Sequence, residues 1–180
     1  MNTQQQSLLD QTLDYFSNRQ LFKAGFLLGS FASNTQDMLS DFDLCIITAP
    51  DVWRDIECHG ACLLGRNDII YKDVGYHQAE GAYARCIFND FTSIELHLID
   101  EHSDFPLYEP FKILFEDGNV IERFRVGGPP PGKKDSKAMS FGVESVGWDL
   151  FNVFKMGVRG KVESIDDWVL KYCRERQLKI

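Results

Sequence analysis

Two aspartates at alternate positions are the residues in this sequence best suited to chemistry. Asp41 and Asp43 flank Phe42 and precede the apolar run Leu-Cys-Ile-Ile. On a β-strand, alternate side chains share a face, so both carboxylates would project together, about 7 Å apart along the backbone. Because Mg²⁺ prefers oxygen ligands and is often held by two carboxylates plus substrate phosphates, the pair predicts a Mg²⁺ site.

A glycine and a serine follow the preceding apolar run. Gly29 and Ser30 stand after Ala-Gly-Phe-Leu-Leu, and ten residues separate Ser30 from Asp41. A glycine lets the backbone approach a phosphate closely, and the following amides and the serine hydroxyl can donate hydrogen bonds to it. Gly-Ser pairs are also common in turns, and a D-x-D is often a solvated strand end. Their combination across one short connection predicts a site for phosphate and metal.

The order L-G-S, short helix, S-D-F-D-L resembles the signature of the DNA polymerase β-like nucleotidyltransferase superfamily. Gly29, Ser30, Asp41 and Asp43 stand at the matching positions. The resemblance implies a third carboxylate on a later strand, and S-I-E-L-H-L-I-D offers Glu95. In this family that position is a metal ligand or the base that deprotonates the acceptor hydroxyl.

Over residues 22–124 the layout is similar to that of the aminoglycoside and lincosamide nucleotidyltransferases. This resemblance implies a Mg²⁺-dependent enzyme that transfers a nucleoside monophosphate, with ATP or another nucleoside triphosphate as co-substrate. AMP is the expected group, and the expected acceptor is a hydroxyl of a small molecule such as an aminoglycoside-like antibiotic. Two alternatives stay open. One is a nucleotidyltransferase that modifies a protein partner, as an antitoxin does, and the other is a non-catalytic nucleotide-binding module in which Glu95 is structural.

The chain departs from the family pattern after the Gly-Ser pair. The following Phe-Ala-Ser-Asn lacks the basic residue and second glycine of many members, so other cations would have to hold the triphosphate. The candidates, which can equally form a solvated charge run, are Lys133, Lys134, Lys137, Lys155, Arg159 and Lys161.

Several other polar residues could have either a structural or a functional role. His97 shares the predicted strand face of Glu95 and is expected to be hydrogen-bonded within the sheet. Arg85 could contact phosphate or pair with an acid, and Asp100 reads as a turn residue. The C-H-x-x-C cluster from Cys58 to Cys62 lacks a second ligand pair, so buried thiols are favoured over zinc.

Periodicity predicts an α+β fold with a mixed sheet flanked by helices, and the resemblance specifies it as the nucleotidyltransferase fold with a small C-terminal helical cap. Helical spacing over about residues 5–18 predicts an opening helix. The predicted strands cover residues 24–29, 42–48, 68–72, 83–88 and 93–99. A short helix or turn is expected within residues 32–40, and residues 51–58 are a further helix candidate.

The Gly-Gly-Pro-Pro-Pro-Gly stretch cannot hold a regular element and predicts a boundary. We expect a nucleotidyltransferase domain over residues 1–126, a loop over 127–137 and a helical substrate-side region over 138–180. In the last region Trp148, Phe151, Phe154 and Val158 are predicted to line one helix face, and a second helix is expected near residues 165–173.

Composition excludes some classes of function. The 180-residue chain carries a formal net charge of −8, which argues against a nucleic-acid surface because phosphate binding relies on clustered Lys and Arg. Its apolar runs are too short to span a bilayer, and residues 1–10 lack a secretory signal. We therefore expect a cytoplasmic monomer or homodimer that binds a nucleoside triphosphate and a small acceptor, with no membrane or nucleic-acid partner.

Overall fold

The computed structural model describes residues 3–60, 63, 66–77, 80–130 and 146–160. The chain divides into two compact units, residues 1–134 and residues 135–180. The first unit is an α+β structure with a mixed sheet, so the predicted fold class is confirmed at that level. The three-part domain division stays a prediction.

The first unit is built on one six-stranded sheet. Helix α1 (Thr3–Ser17) leads to β1 (Phe22–Leu27), and the four-residue helix α2 (Gly29–Ala32) leads to β2 (Phe42–Thr48). A 3₁₀ helix (Val52–Asp55) and α3 (Ile56–His59) follow. The remaining elements are β3 (Ile69–His77), β4 (Gly81–Phe88), β5 (Ser93–Asp100), β6 (Lys112–Glu116) and a 3₁₀ helix (Ile121–Arg123).

The strand order is β3-β4-β5-β2-β1-β6. Strands β2 and β5 run parallel, and every other neighbouring pair is antiparallel. A parallel pair needs a long crossover, which here includes α3, β3 and β4. The sheet thereby places the start of β5 beside the start of β2, although about fifty residues separate them.

One face of the sheet is covered by helices. Alternate strand residues such as Leu44 and Leu96 pack there with Leu8 and Phe16 of α1 and with Ile56 of α3. The rings of Phe16 and Phe22 meet edge to face with centroids 4.7 Å apart, a favourable aromatic geometry. Apolar residues at helical spacing on α1 and at period two on the strands therefore form one core.

The opposite face is divided between an apolar part and a polar part. Phe26, Cys45 and Ile99 pack beneath Leu107 and Phe124, which belong to the chain that follows β5. Elsewhere on this face, β2, β5, β4 and β3 present charged side chains. The candidate site lies on this polar part.

Most predicted elements match the structure. Strand β2 has the predicted bounds, and α1, β4, β5 and the helical turns after Pro50 lie where expected. The predicted end of β1 was wrong: the strand ends at Leu27, because Gly29 takes a left-handed φ of +61° and begins α2. Strand β3 extends to His77, beyond the predicted limit of Lys72. Strand β6 was missed, because half-exposed Lys-Ile-Leu-Phe-Glu lacks an alternating pattern.

The second unit contains helix α4 (Val146–Val158). Trp148 and Phe151 are buried as predicted, but Phe154 is 42% and Val158 59% exposed. Lys155 is buried instead, with its Nζ 4.7 Å from the Phe151 ring centre. Positions 148, 151 and 155 follow the i, i+3, i+7 rule, but Val153 on another side of the helix is also buried, so burial is not limited to the predicted stripe. The predicted helix near residues 165–173 lies outside the described residues. Among the described helices, none is long and apolar enough to cross a membrane.

Candidate functional site

Four charged residues form a row across four adjacent strands. Asp43 of β2 is the direct partner of Glu95 of β5 in the parallel register. Glu95 in turn opposes Arg85 of β4, and Arg85 opposes Asp73 of β3. Adjacent strands are about 4.8 Å apart, so each side chain has the next as its nearest neighbour on this face. We call Asp43, Glu95, Arg85 and Asp73 the charged row.

Arg85 binds the acids on both sides of it. Its Nε and Nη2 donate to the same oxygen of Glu95, Oε1, at 2.9 and 2.8 Å, and Nη1 lies 3.5 Å from Oδ2 of Asp73. Burial acts to lower the pKa of Arg85, but the charge and hydrogen bonds of Glu95, with the charge of Asp73, outweigh it and raise that pKa. Arg85 is therefore a fixed cation that orients Glu95.

Glu95 keeps one carboxylate oxygen away from this ion pair. The Arg85 contacts fall on Oε1, and Nε2 of His97 lies 3.6 Å from the same atom. Oε2 has no hydrogen-bond partner in the part of the chain that the structure describes. Because an ionised carboxylate can accept about four hydrogen bonds, Glu95 retains the capacity to accept a proton or a ligand.

Asp41 lies just before β2, on the side of Asp43. Its Oδ1 accepts a hydrogen bond from Oγ of Ser93 at 2.5 Å. Ser93 begins β5, two residues before Glu95, so the same parallel strand pair fixes both aspartates relative to Glu95. The structure thus brings the three predicted carboxylates to one end of two neighbouring strands.

Gly29 packs directly against Asp43. A Cβ atom at position 29 would lie 2.1 Å from Oδ2 of Asp43, closer than two non-bonded atoms can stand. The N–H of Leu28 also donates to the carbonyl of Asp43 at 2.9 Å. Phe31 packs α2 against the sheet, because its ring stacks on that of Phe42 with ring centres 4.2 Å apart. The predicted phosphate turn and the predicted metal pair are therefore in contact.

Two histidines extend the polar surface next to the charged row. Nε2 of His77 and Nδ1 of His97 are 3.0 Å apart, and their rings stack. Burial, with smaller effects of His77 and Arg85, lowers the pKa of His97 to about 3. Burial likewise lowers the pKa of His77, against the charge of Glu95. His97 is hydrogen-bonded within the sheet, as predicted.

A pocket of about 490 Å³ opens beside Gly29. Its walls are formed by Leu28, Gly29 and Ser33, by residues 105–110 and by Pro130. Leu28 is the neighbour of Asp43 on the β1 side, whereas Glu95 is its neighbour on the β5 side. The order across this face is therefore Glu95, Asp43, Gly29 and then the pocket.

The remaining candidates have structural partners or lie elsewhere. Asp100 accepts from the N–H groups of Asp51 and His102, as expected of a turn residue. Cys58 is exposed, so its assignment as a buried thiol was wrong; its helix turns it away from the sheet while Ile56 faces the core. Cys62, Lys133, Lys134, Lys137 and Lys161 lie outside the described residues, and Lys155 and Arg159 belong to the second unit.

Among the described residues, no three His, Cys, Asp or Glu side chains are arranged to hold a metal ion. Glu95 turns one oxygen toward Arg85, and Asp41 turns one toward Ser93. Sequence reasoning missed Asp73, Ser93, His77 and the pocket. Asp73 stands at alternate positions with Tyr71 and Gly75, so the sequence could have placed it on one face of a strand. That it pairs with Arg85 depends on how the strands pair.

No protein-family model and no curated protein matches this sequence.

Proposed function

We propose that this chain is a Mg²⁺-dependent nucleotidyltransferase with the DNA polymerase β type of fold. It transfers a nucleoside monophosphate, AMP in the simplest case, from a nucleoside triphosphate to a hydroxyl of a small molecule. The observation that carries the proposal is the contact set around Asp43: Glu95 is its direct strand partner, and Gly29 fits only because it lacks a Cβ. Three sequence segments thereby supply the parts that the resemblance requires.

The donor set fits Mg²⁺ by the chemistry of its oxygens, although the described side chains are not arranged around an ion. Asp41, Asp43 and Glu95 offer carboxylate oxygens on one sheet face, and hard divalent cations bind such oxygens with substrate phosphates. Asp41 and Asp43 would hold the ion, with Glu95 completing its ligand set only where it does not serve as the base; the ion when bound would neutralise phosphate charge and stabilise the leaving pyrophosphate. Asp41, Asp43, Glu95 and Asp73 lie on this face, and the chain has a net charge of −8. Without a bound cation the face would repel a triphosphate.

The protein's own groups divide the remaining work. Gly29 and Ser30 would bind the β- and γ-phosphates through backbone N–H groups and the Ser30 hydroxyl. The acceptor oxygen would then bond to the α-phosphorus as the bond to pyrophosphate breaks, while Glu95 takes the hydroxyl proton. Arg85 would position Glu95 for this step. Positioning and charge neutralisation would provide most of the catalysis.

A second candidate is a non-catalytic nucleotide-binding module. The observation that favours it is the double hydrogen bond from Arg85 to Glu95, which is what a purely structural glutamate would make. In this reading Gly29, Ser30 and the aspartates hold the nucleotide, and no transfer follows.

The decisive test is pyrophosphate release with Mg²⁺ and α-labelled ATP, GTP, CTP or UTP, with and without a panel of aminoglycosides and lincosamides. We expect release that depends on one acceptor and that falls at least about 100-fold in the Asp41→Asn/Asp43→Asn double variant. The matched control is Asp10→Asn/Asp14→Asn, on an exposed side of α1 across the sheet, which should keep wild-type rates.

The Glu95→Gln variant distinguishes the two candidate functions. An enzyme would lose turnover while keeping nucleotide affinity, whereas a binding module shows no turnover to lose. Label that remains on protein after dialysis would identify a protein acceptor instead of a small molecule. Binding of nucleotide without release in any mixture would reject transfer to these small molecules and leave a protein acceptor or the binding module.

A further inference from the structure

The two aspartates of the proposed metal site are held in different ways. Asp43 belongs to β2, pairs with Glu95 in the parallel register, and accepts a hydrogen bond at its carbonyl from the N–H of Leu28. Asp41 precedes β2 and lies outside the registers of both neighbouring strands. The direction of the Asp41 carboxylate therefore depends on side-chain contacts and on the loop before it.

Ser93 supplies a side-chain contact to Asp41. The serine is 2% exposed, and its Oγ donates to Oδ1 of Asp41 at 2.5 Å. A hydrogen bond from a hydroxyl to an ionised carboxylate is shorter and roughly twice as strong as one between neutral groups. Without a donor, an aspartate carboxylate turns easily about its last torsion angle. Ser93 therefore fixes the direction in which the two oxygens of Asp41 point.

The same serine connects Asp41 to the rest of the site. Ser93 stands two residues before Glu95, so their side chains share one face of β5. Strand β5 lies between β4 and β2 within the sheet, which holds the backbone of Ser93 from both sides. The Ser93 hydroxyl thus fixes the Asp41 carboxylate relative to Glu95.

The backbone before Asp41 has an anchor of its own. Nε2 of Gln5, a residue of α1 that is 1% exposed, donates to the carbonyls of Asp37 and Ser40 at 3.2 and 3.4 Å. Oγ of Ser40 also donates to Oδ1 of Asp37 at 3.0 Å. None of these bonds involves Ser93. Loss of the Ser93 hydroxyl should therefore release the Asp41 carboxylate while the loop stays in place.

We propose that Ser93 is a positioning residue of the metal site, whose hydroxyl holds the Asp41 carboxylate in the orientation that binds Mg²⁺. The inference rests on the proposed function for the presence of the ion. Hydrogen-bond partners that orient metal-ligating side chains typically contribute a factor of about 10–100 in metal affinity. Ser93 is not itself a ligand and acts through Asp41.

The test is binding of Mn²⁺, a paramagnetic substitute for Mg²⁺, to the full chain, followed by electron paramagnetic resonance. Ser93→Ala should raise the Kd for Mn²⁺ at least about tenfold. The matched control is Thr48→Val, because buried Thr48 joins the same two strands at their other end: its Oγ1 donates to the carbonyl of Ile99 at 3.3 Å. Thr48→Val should keep the wild-type Kd.

A purely structural hydroxyl would lower the stability of Ser93→Ala in urea, as Thr48→Val does, and leave the Kd for Mn²⁺ unchanged. That result overturns the inference, and so does a wild-type chain that binds no Mn²⁺. Further weakening when Ser93→Ala is added to Asp41→Asn also overturns it, because the effect would then not act through Asp41.

The positioning role and the proposed function fail separately. Mn²⁺ binding that depends on Ser93, without pyrophosphate release under any small-molecule or protein acceptor, supports the positioning role and rejects the enzyme. Pyrophosphate release that depends on an acceptor, with a Kd for Mn²⁺ that is equal in the wild type and in Ser93→Ala, supports the enzyme and rejects the positioning role.

Discussion

At the scale of single residues, Arg85 offsets the charge repulsion between the acids of this face and orients Glu95. Asp43, Glu95 and Asp73 share one row, and like charges in a row repel each other. Arg85 is mostly buried and binds two of them, so it offsets that repulsion and holds Glu95 in one orientation. A lysine would not replace it, because the fork of donors is needed to reach both neighbours.

Gly29 gives the sharpest prediction at this scale. Gly29→Ala adds a Cβ where Asp43 already lies and forces a non-glycine residue to φ +61°. Gly118 has a similar φ of +79° with nothing within 4 Å of a Cβ, so Gly118→Ala measures the backbone strain alone, about 1 kcal/mol. We expect Gly29→Ala to lower the free energy of unfolding by about 1–3 kcal/mol more than this control in urea titrations. Equal losses in the two variants would contradict the Gly29–Asp43 contact.

At the scale of elements, the sheet brings β3 and β5 close enough for His77 and His97 to stack, although β4 runs between them. The pKa of His97 is lowered to about 3 in the folded chain, whereas an unfolded histidine titrates near 6.5. Between these values the unfolded state binds more protons, so stability is full above about pH 6.5 and falls as the pH falls toward 3.

We therefore predict that His97→Gln reduces the acid dependence of the free energy of unfolding. One histidine contributes at most about 1.4 kcal/mol per pH unit, and the variant should lose a slope of this order between about pH 6 and 4. His102→Gln, at an exposed turn, is the control and should follow the wild type. Urea titrations at four pH values measure the slope, and an unchanged slope in His97→Gln would reject the burial effect.

At the scale of the whole molecule, the described cores belong to the first unit. Every residue of the two apolar clusters, one on each face of the sheet, lies within residues 1–134. We predict that a chain of residues 1–134 unfolds cooperatively in urea and keeps the circular dichroism of a mixed α/β structure. A gradual transition, or dye binding typical of a molten state, would show that residues 135–180 are needed for folding.

What the sequence determined by itself was local. The short apolar run in Phe42–Thr48, which is buried on both faces, and the helical spacing in Thr3–Ser17 follow from which side chains must be buried, so these elements were predictable. The candidates Gly29, Ser30, Asp41 and Asp43 were also readable, because they lie within fifteen residues and their chemistry depends on residue type and spacing. Strand β6 and the end of β1 at Leu27 were not, since packing against β1 sets the first and packing of Gly29 against Asp43 sets the second.

Which residues meet depends on strand order and register. The parallel register of β2 and β5 places Glu95 against Asp43 and Ser93 against Asp41, and the antiparallel register of β4 places Arg85 on Glu95. Strand order and register depend on long-range burial, and a shift of one residue would turn every one of these side chains to the other face. The pocket beside Gly29 arises in the same way, because residues 105–110 reach it only after the chain has crossed the sheet.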